Sequence, residues 1–282
     1  MTGARTRFRP GRALIVAREE YRRALESRWL FGFAALFAVF VLGLSFFGLA
    51  QSGEVGFTGF ARVTLSLLNL VLFVVPLVGL LQGVTSVTGS AESLSLLLAQ
   101  PVSRTEVLAG KFAGVASAIA VAQLLGLGGG GLVVALNAGP DHLGGFAVLC
   151  GVSLALAVLS VATALALASL WPDRLRATGA ALALWLVMVV AYDLAVLGIT
   201  TTFRGVGLQA ILLPALLLNP VDLGRVLVTM AVGRGALFGP TAAVLVRSLG
   251  TAPGIAAALV ALLVQTAVPL WLALRVFRRR DW

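Results

Sequence analysis

The run FAVLCGVSLALAVLSVATALALASL, residues 146–170, is 25 residues long and holds no Asp, Glu, Lys or Arg. A helix needs about 20 apolar residues to cross the hydrocarbon of a bilayer, and five further stretches of the chain repeat the pattern. In lipid every backbone N–H and C=O must find its partner within the protein, so only helices and closed barrels span. Barrel strands alternate apolar and polar residues over about ten positions, and these runs do not alternate. A composition of 60% hydrophobic and 11% charged residues also lies outside the range of soluble globular domains. The sequence therefore predicts an all-α, polytopic membrane protein.

The six predicted spans lie near residues 29–50, 63–84, 107–136, 146–170, 178–199 and 252–276. With the N-terminus inside, sixteen of the 21 Lys and Arg fall on cytoplasmic segments, leaving only Arg62, Arg204, Arg225, Arg234 and Arg247 outside. Basic residues collect on the cytoplasmic side of membrane proteins, so both termini are expected in the cytoplasm of a bacterial inner membrane. The first 28 residues carry too many charges ahead of the first apolar run to be a cleaved signal peptide. The expected division is a tail and amphipathic elbow helix (1–28), a transmembrane domain (29–276) with a long outer loop at about 200–251, and a basic tail (277–282). The net charge of +10 then reflects topology and lipid headgroups, with no nucleic-acid partner.

Chemistry-bearing motifs are few. There is no G-x-x-x-x-G-K-[ST] loop, so any nucleotide energy comes from another chain. The GLGGGG run at 126–131 lies inside a span, where glycine marks close helix packing. Met1, Met188, Met230, Cys150 and His142 are scattered along the chain, unlike the clustered soft or imidazole ligands that hold copper. No metal site is predicted, and Cys150 is expected to be an inert small side chain. With no paired carboxylates or nucleophile–base set, no active site is predicted.

Two cytoplasmic segments are more specific. ALIVAREEYRRALESRW spaces Leu14, Ala17, Tyr21, Ala24 and Leu25 along one helix face, with Arg18, Glu19, Arg22, Arg23 and Glu26 largely elsewhere. This amphipathic helix, feeding straight into the first span, is an interfacial anchor or an elbow that also meets a partner. Before and within AESLSLLLAQPVSRTEVLAGK, residues 91–111, Ser90 can cap a short helix with Glu92 in its first turn, where a carboxylate suits the helix dipole. Pro101 ends that helix at Gln100, and Ser103 with Glu106 forms an S-x-x-E box that starts another. Leu94, Leu96, Leu97 and Leu98 cover too wide an arc for a fully solvated helix and need a lipid interface or a protein groove.

That segment, preceded by the REEYRRALESRW elbow, resembles the type-2 ABC transporter permeases of prokaryotes, over most of the chain. The resemblance implies a coupling helix at about 91–102 that docks on a separate cytoplasmic ATPase through Glu92, Ser93, Leu96, Leu97, Gln100, Pro101 and Arg104, beside an elbow marked by Arg18, Glu19, Tyr21, Arg22 and Arg23. It also implies a second permease copy, with ATP and magnesium held by the partner. A narrower likeness comes from LLLNPVDLGRVLVTM, residues 216–230, followed by GALFGPTAA. These stretches are similar to the permeases of the copper-processing system that matures nitrous oxide reductase, which implies a periplasmic copper-handling partner and a sulfur-containing cargo.

Read from the residues themselves, Asn219 caps a helix, Pro220 takes its first position and Asp222 its first turn. The run 208–218 is too short to span, so the outer region is expected to form interfacial or re-entrant half-helices. Asp193 is the one carboxylate inside an apolar run. An ionisable group there is costly enough to suggest a pathway or outer gate, which with Asn219, Pro220, Asp222 and Arg225 makes the outer candidate set. Asn69, Gln82, Gln123 and Gln265 either line a path or bond between helices. Two other readings stay open: a type-2 exporter of a drug, lipid or peptide, and a stand-alone channel or secondary carrier.

Overall fold

The computed structural model describes residues 10–50, 57–89, 102–138, 143–202, 208–232 and 239–279. Every regular element among them is helical, as a bilayer demands of segments with no water to bond. In order they are α1 (Pro10–Glu26), α2 (Arg28–Ala50), α3 (Phe57–Thr88), α4 (Arg104–Ala138) and α5 (Leu143–Leu170). There follow α6 (Arg174–Leu186), a π-turn (Val187–Ala191), α7 (Tyr192–Thr202), α8 (Leu208–Leu218), α9 (Pro220–Val232), α10 (Pro240–Leu249) and α11 (Thr251–Arg279). Five segments are long and apolar enough to cross a bilayer unbroken: α3, α4, α5, the α6–α7 run and α11. Two bent pairs, α1 with α2 and α8 with α9, would raise the count to seven if each were one span. The range of five to seven brackets the expected six, and the predicted first span falls on the 23-residue α2.

The central helix is α5, which touches α3, α4, α6, α9 and α11. Small residues let the helices meet closely, as membrane interfaces require. A Cβ built at Gly79 of α3 would lie 2.6 Å from Cβ of Ser160, and one at Gly83 would overlap Ala164. Within the GLGGGG run, Gly126 faces Phe37 and Gly131 faces Phe146, each closer than a side chain would allow. The WPDRLR turn restarts the chain at α6, where the Asp173 carboxylate accepts from the Arg176 N–H at 2.9 Å.

Both ends of the described chain gather at the start of α4, which defines a terminal end of the bundle. Ser103 and Glu106 form the expected reciprocal cap: the Ser103 N–H donates to the Glu106 carboxylate at 2.7 Å and the Glu106 N–H to Ser103 Oγ at 3.3 Å. One residue on, Arg104 donates to the Arg278 carbonyl at 3.2 Å, and Arg278 Nε donates back to Thr105 Oγ1 at 3.0 Å. The last turn of α11 is thereby strapped to the first turn of α4.

Helix α1, the expected elbow, corrects two expectations. Ala17, Tyr21 and Ala24 do turn inward, but Leu14 is 71% exposed and Leu25 is exposed too. The face is chosen by close approach to α4: a Cβ at Gly110 would meet Val16 at 2.6 Å, and one at Gly114 would meet the Ala17 carbonyl at 2.5 Å. That approach buries Val16 and Glu20, and it encloses Lys111, which is only 2% exposed. Lys111 reads from the sequence as one of the cytoplasmic topological charges; in the structure it is a buried partner of Glu20.

Two glycine substitutions should therefore behave oppositely in thermal unfolding of the solubilised protein. Gly114→Ala forces the elbow off α4 and should destabilise by about 1–3 kcal/mol, the usual range for overpacking. Gly151→Ala on α5, with nothing within 4 Å of its added methyl, should be neutral or stabilising by up to about 1 kcal/mol.

Candidate functional site

The outer candidate residues come together on a helical hairpin. Helices α8 and α9 meet at 103°, and the corner is Asn219. Its side-chain oxygen accepts from the N–H groups of Val221 at 2.9 Å and Asp222 at 3.4 Å, caps α9 as its sequence predicts, and leaves Pro220 at the position where no donor is needed. The Asn219 amide nitrogen donates to the Met188 carbonyl at 2.8 Å. Met188 sits in the π-turn of the α6–α7 segment, a ladder irregularity of the kind that collects at functional sites. From the other side, Gln265 of α11 donates to the Leu217 carbonyl at 2.7 Å. Gln265 is thus a fastener between helices.

These partners fix the depth of the corner. Met188 and Gln265 each lie midway along their helices, and Pro220 and Val221 border a small void with Leu156 and Ser160, midway along α5. At about 1.5 Å per residue the corner is roughly 20 Å from either end of α5, the middle of the hydrocarbon. Gly224, one turn further on, faces Val152 and Leu156, so α9 runs back toward the start of α5. The pair is a re-entrant hairpin that enters and leaves at the end opposite the termini.

On its returning arm the hairpin carries charge. Arg225 makes a two-pronged pair with Asp193 of α7, both contacts at 2.8 Å, and its Nη1 also donates to Asp222 at 3.2 Å. The Tyr192 hydroxyl donates to the second Asp222 oxygen at 2.9 Å. Asp222 is buried, whereas Arg225 and Asp193 side chains remain 33% and 44% exposed in a single copy. Asp193 lies nine residues before the end of α7, roughly 13 Å inside the helix end at about 1.5 Å per residue. Ionised groups that deep do not face lipid tails; they face water or other protein. The cluster thus marks a polar surface in the opposite half of the membrane. Tyr192, the member the sequence reading missed, is signalled only by its place beside Asp193.

At the terminal end, Arg18, Glu19, Arg22 and Arg23 stand on the exposed face of α1, with pairs Arg22–Glu26 and Glu19–Arg23 at 2.9 Å. Tyr21 packs against the core. Arg18, Glu19 and Arg22 border an open groove of about 940 Å³ that also includes Tyr21, Arg12, Glu26 and Val102. Val102 is the last residue of the predicted coupling segment and the first described one there; Glu92, Ser93, Leu96, Leu97, Gln100 and Pro101 lie outside the described residues. Arg104 is placed in the α4–α11 strap. The residues sequence reasoning passed over are Glu20 and Lys111, paired at 3.0 Å, with Lys111 also donating to the Ser86 carbonyl at 2.5 Å. The sign of such a pair is a Glu on the inner side of an amphipathic helix, but its partner is 91 residues away.

A bundle of apolar helices with buried charge at its two ends is that of a polytopic membrane protein. The profile described as ABC-2 family transporter protein matches residues 14–282, and the chain belongs to that family, the membrane permeases of ABC transporters. It is 39% identical over 220 residues to a protein named Probable ABC transporter permease protein NosY from Pseudomonas aeruginosa, covering 75% of this chain and 79% of that one. A protein of the same name from Stutzerimonas stutzeri is 34% identical over 274 residues, 94% of this chain and 97% of that one.

Removing the Tyr192 hydroxyl strips a donor from a buried carboxylate, so Tyr192→Phe should cost about 1–3 kcal/mol. Arg225→Met, which leaves two carboxylates facing each other, should cost more than Tyr192→Phe. Unfolding of the purified permease in detergent gives the order; equal effects would mean that the guanidinium is not the centre of the cluster.

Proposed function

We propose that this permease works as a pair of copies with two cytoplasmic ATPase subunits, and that it serves copper-site assembly of nitrous oxide reductase. The terminal end then faces the cytoplasm. Segment 91–102 docks in the ATPase through Glu92, Ser93, Leu96, Leu97, Gln100 and Pro101, and ATP and magnesium are bound by that partner. Closure of the ATPase pair pushes on the start of α4, and the helices strapped to it switch between two arrangements. The observation that carries the reading is likeness along 94% of the chain to an ABC permease named NosY, together with the NPVD corner of the hairpin.

The geometry supports the remaining assignments. In one copy only 6% of the α6–α7 window and 11% of the α11 window are buried, which leaves a broad apolar face for lipid and a second copy. The hairpin opens toward the periplasm, where a copper-handling protein has access to it. Copper stays with that partner, because the chain's Met, Cys and His residues are dispersed, and the cargo on the permease side is a sulfur species.

The test is docking. Leu96→Asp combined with Leu97→Asp should abolish co-purification of the ATPase while the permease still inserts in the membrane; unchanged co-purification would contradict the coupling role. Solubilisation from native membranes should bring down a periplasmic copper protein, and its replacement by an unrelated exporter partner would redirect the assignment of cargo.

A further inference from the structure

Lys111 is the one lysine in the sequence, and it is placed where a lysine is expensive: buried, in the second turn of a membrane helix. A buried ammonium persists only when its donors are taken, and here they join three separate parts of the chain. Its Nζ donates to Glu20 in the middle of α1 at 3.0 Å and to the carbonyl of Ser86 in the last turn of α3. The final carbonyls of a helix have no partner in their own ladder and favour a cation, so the Ser86 contact is a natural seat for the charge. Ser86 lies four residues before position 90 and Lys111 ten after position 101, so this single side chain ties together both stems of the predicted coupling segment.

The surroundings make the joint stiff. Gly110 and Gly114, flanking Lys111, hold α1 at a distance no side chain would permit. The same two turns of α4 carry the Ser103–Glu106 cap and the strap to Arg278 of α11. A rigid body assembled from two stems, an elbow and the last helix can turn as one when pushed. A set of independent helix ends would absorb the push.

We infer that the Glu20–Lys111 pair, closed on the Ser86 carbonyl, is the positioning joint that makes the elbow, α3 and α4 respond as one unit to force applied at the segment between them. Lys111 and Glu20 act through the coupling segment and need touch neither nucleotide nor cargo. The inference rests on the reading of the chain as an ATP-driven permease.

The experiment uses the full complex of permease and ATPase in proteoliposomes, with Glu20→Met and Lys111→Met made together so that no buried charge is left alone. The double variant should co-purify with the ATPase in wild-type amount and unfold near the wild-type temperature, while stimulation of ATP hydrolysis by the permease falls at least fivefold. Glu20→Gln, which keeps an acceptor for Nζ, should retain at least half of the stimulation. If the Met pair does not reach the membrane, Glu20→Leu with Lys111→Leu against Glu20→Gln makes the same comparison. Stimulation within twofold of wild type in the apolar variant, or loss of ATPase docking in place of loss of stimulation, would overturn the joint. A wild-type permease that neither binds nor stimulates the ATPase would instead refute the reading on which the joint rests.

Discussion

The bilayer core offers backbone groups no water, and the rest of the structure follows from that deficit. Wherever the chain is a continuous helix the deficit is met locally, and side chains are free to be apolar. Where the helix breaks, a named side chain must close the gap, and those side chains are the informative ones. Asn219 closes the hairpin corner on one side and reaches the π-turn carbonyl of Met188 on the other. Gln265 takes the Leu217 carbonyl. Both breaks at membrane depth are thus held by amides from neighbouring segments, so the hairpin, α6–α7 and α11 are fastened together at mid-membrane.

Among the described residues, buried charge gathers at two opposite ends. At the terminal end Glu20 and Lys111 hold three chain segments together, and Arg104 with Arg278 brings in a fourth. At the other end Asp193, Asp222, Arg225 and Tyr192 tie the returning arm of the hairpin to α7. Exposed pairs on α1 such as Arg22–Glu26 contribute little by comparison, because solvent screens them. The two joints share α11 as a common neighbour: its last turn is strapped to α4, and its middle is bonded to the hairpin. A displacement at the terminal end therefore has a bonded route to the charged cluster, which is what an energy-coupled permease needs.

The helical class, the spans and the hairpin corner were legible because each depends on local pattern: uninterrupted apolar runs, an S-x-x-E cap at Ser103, an Asn-Pro start at Asn219. Asp193 was legible as a costly residue in an apolar run and Asp222 as a first-turn acid of the Asn219-capped helix, although nothing in the spacing of 193 and 225 shows that they touch. The elbow face was misread because hydrophobic periodicity favours Leu14 and Leu25, whereas close approach at Gly110 and Gly114 selects the face bearing Val16 and Glu20. Lys111 was misread for the same reason: a cation at a span end looks topological until its long-range partner is known. What depends on contacts between distant segments was hidden, and what depends on neighbours along the chain was readable.

The proposal that matters most is that nucleotide on the partner subunit switches the permease between two arrangements, which would change the access of water to the polar surface around Asp193. It can be tested with a single cysteine at Leu197, one turn from Asp193 on the same face and 60% exposed, in a Cys150→Ala background. The rate of its labelling by a membrane-impermeant thiol reagent is measured in the reconstituted complex, with and without ATP. The account predicts at least a tenfold change in rate between the two nucleotide states, lost when the ATPase is omitted. A cysteine that is never labelled, or one labelled at the same rate in every state, would contradict it.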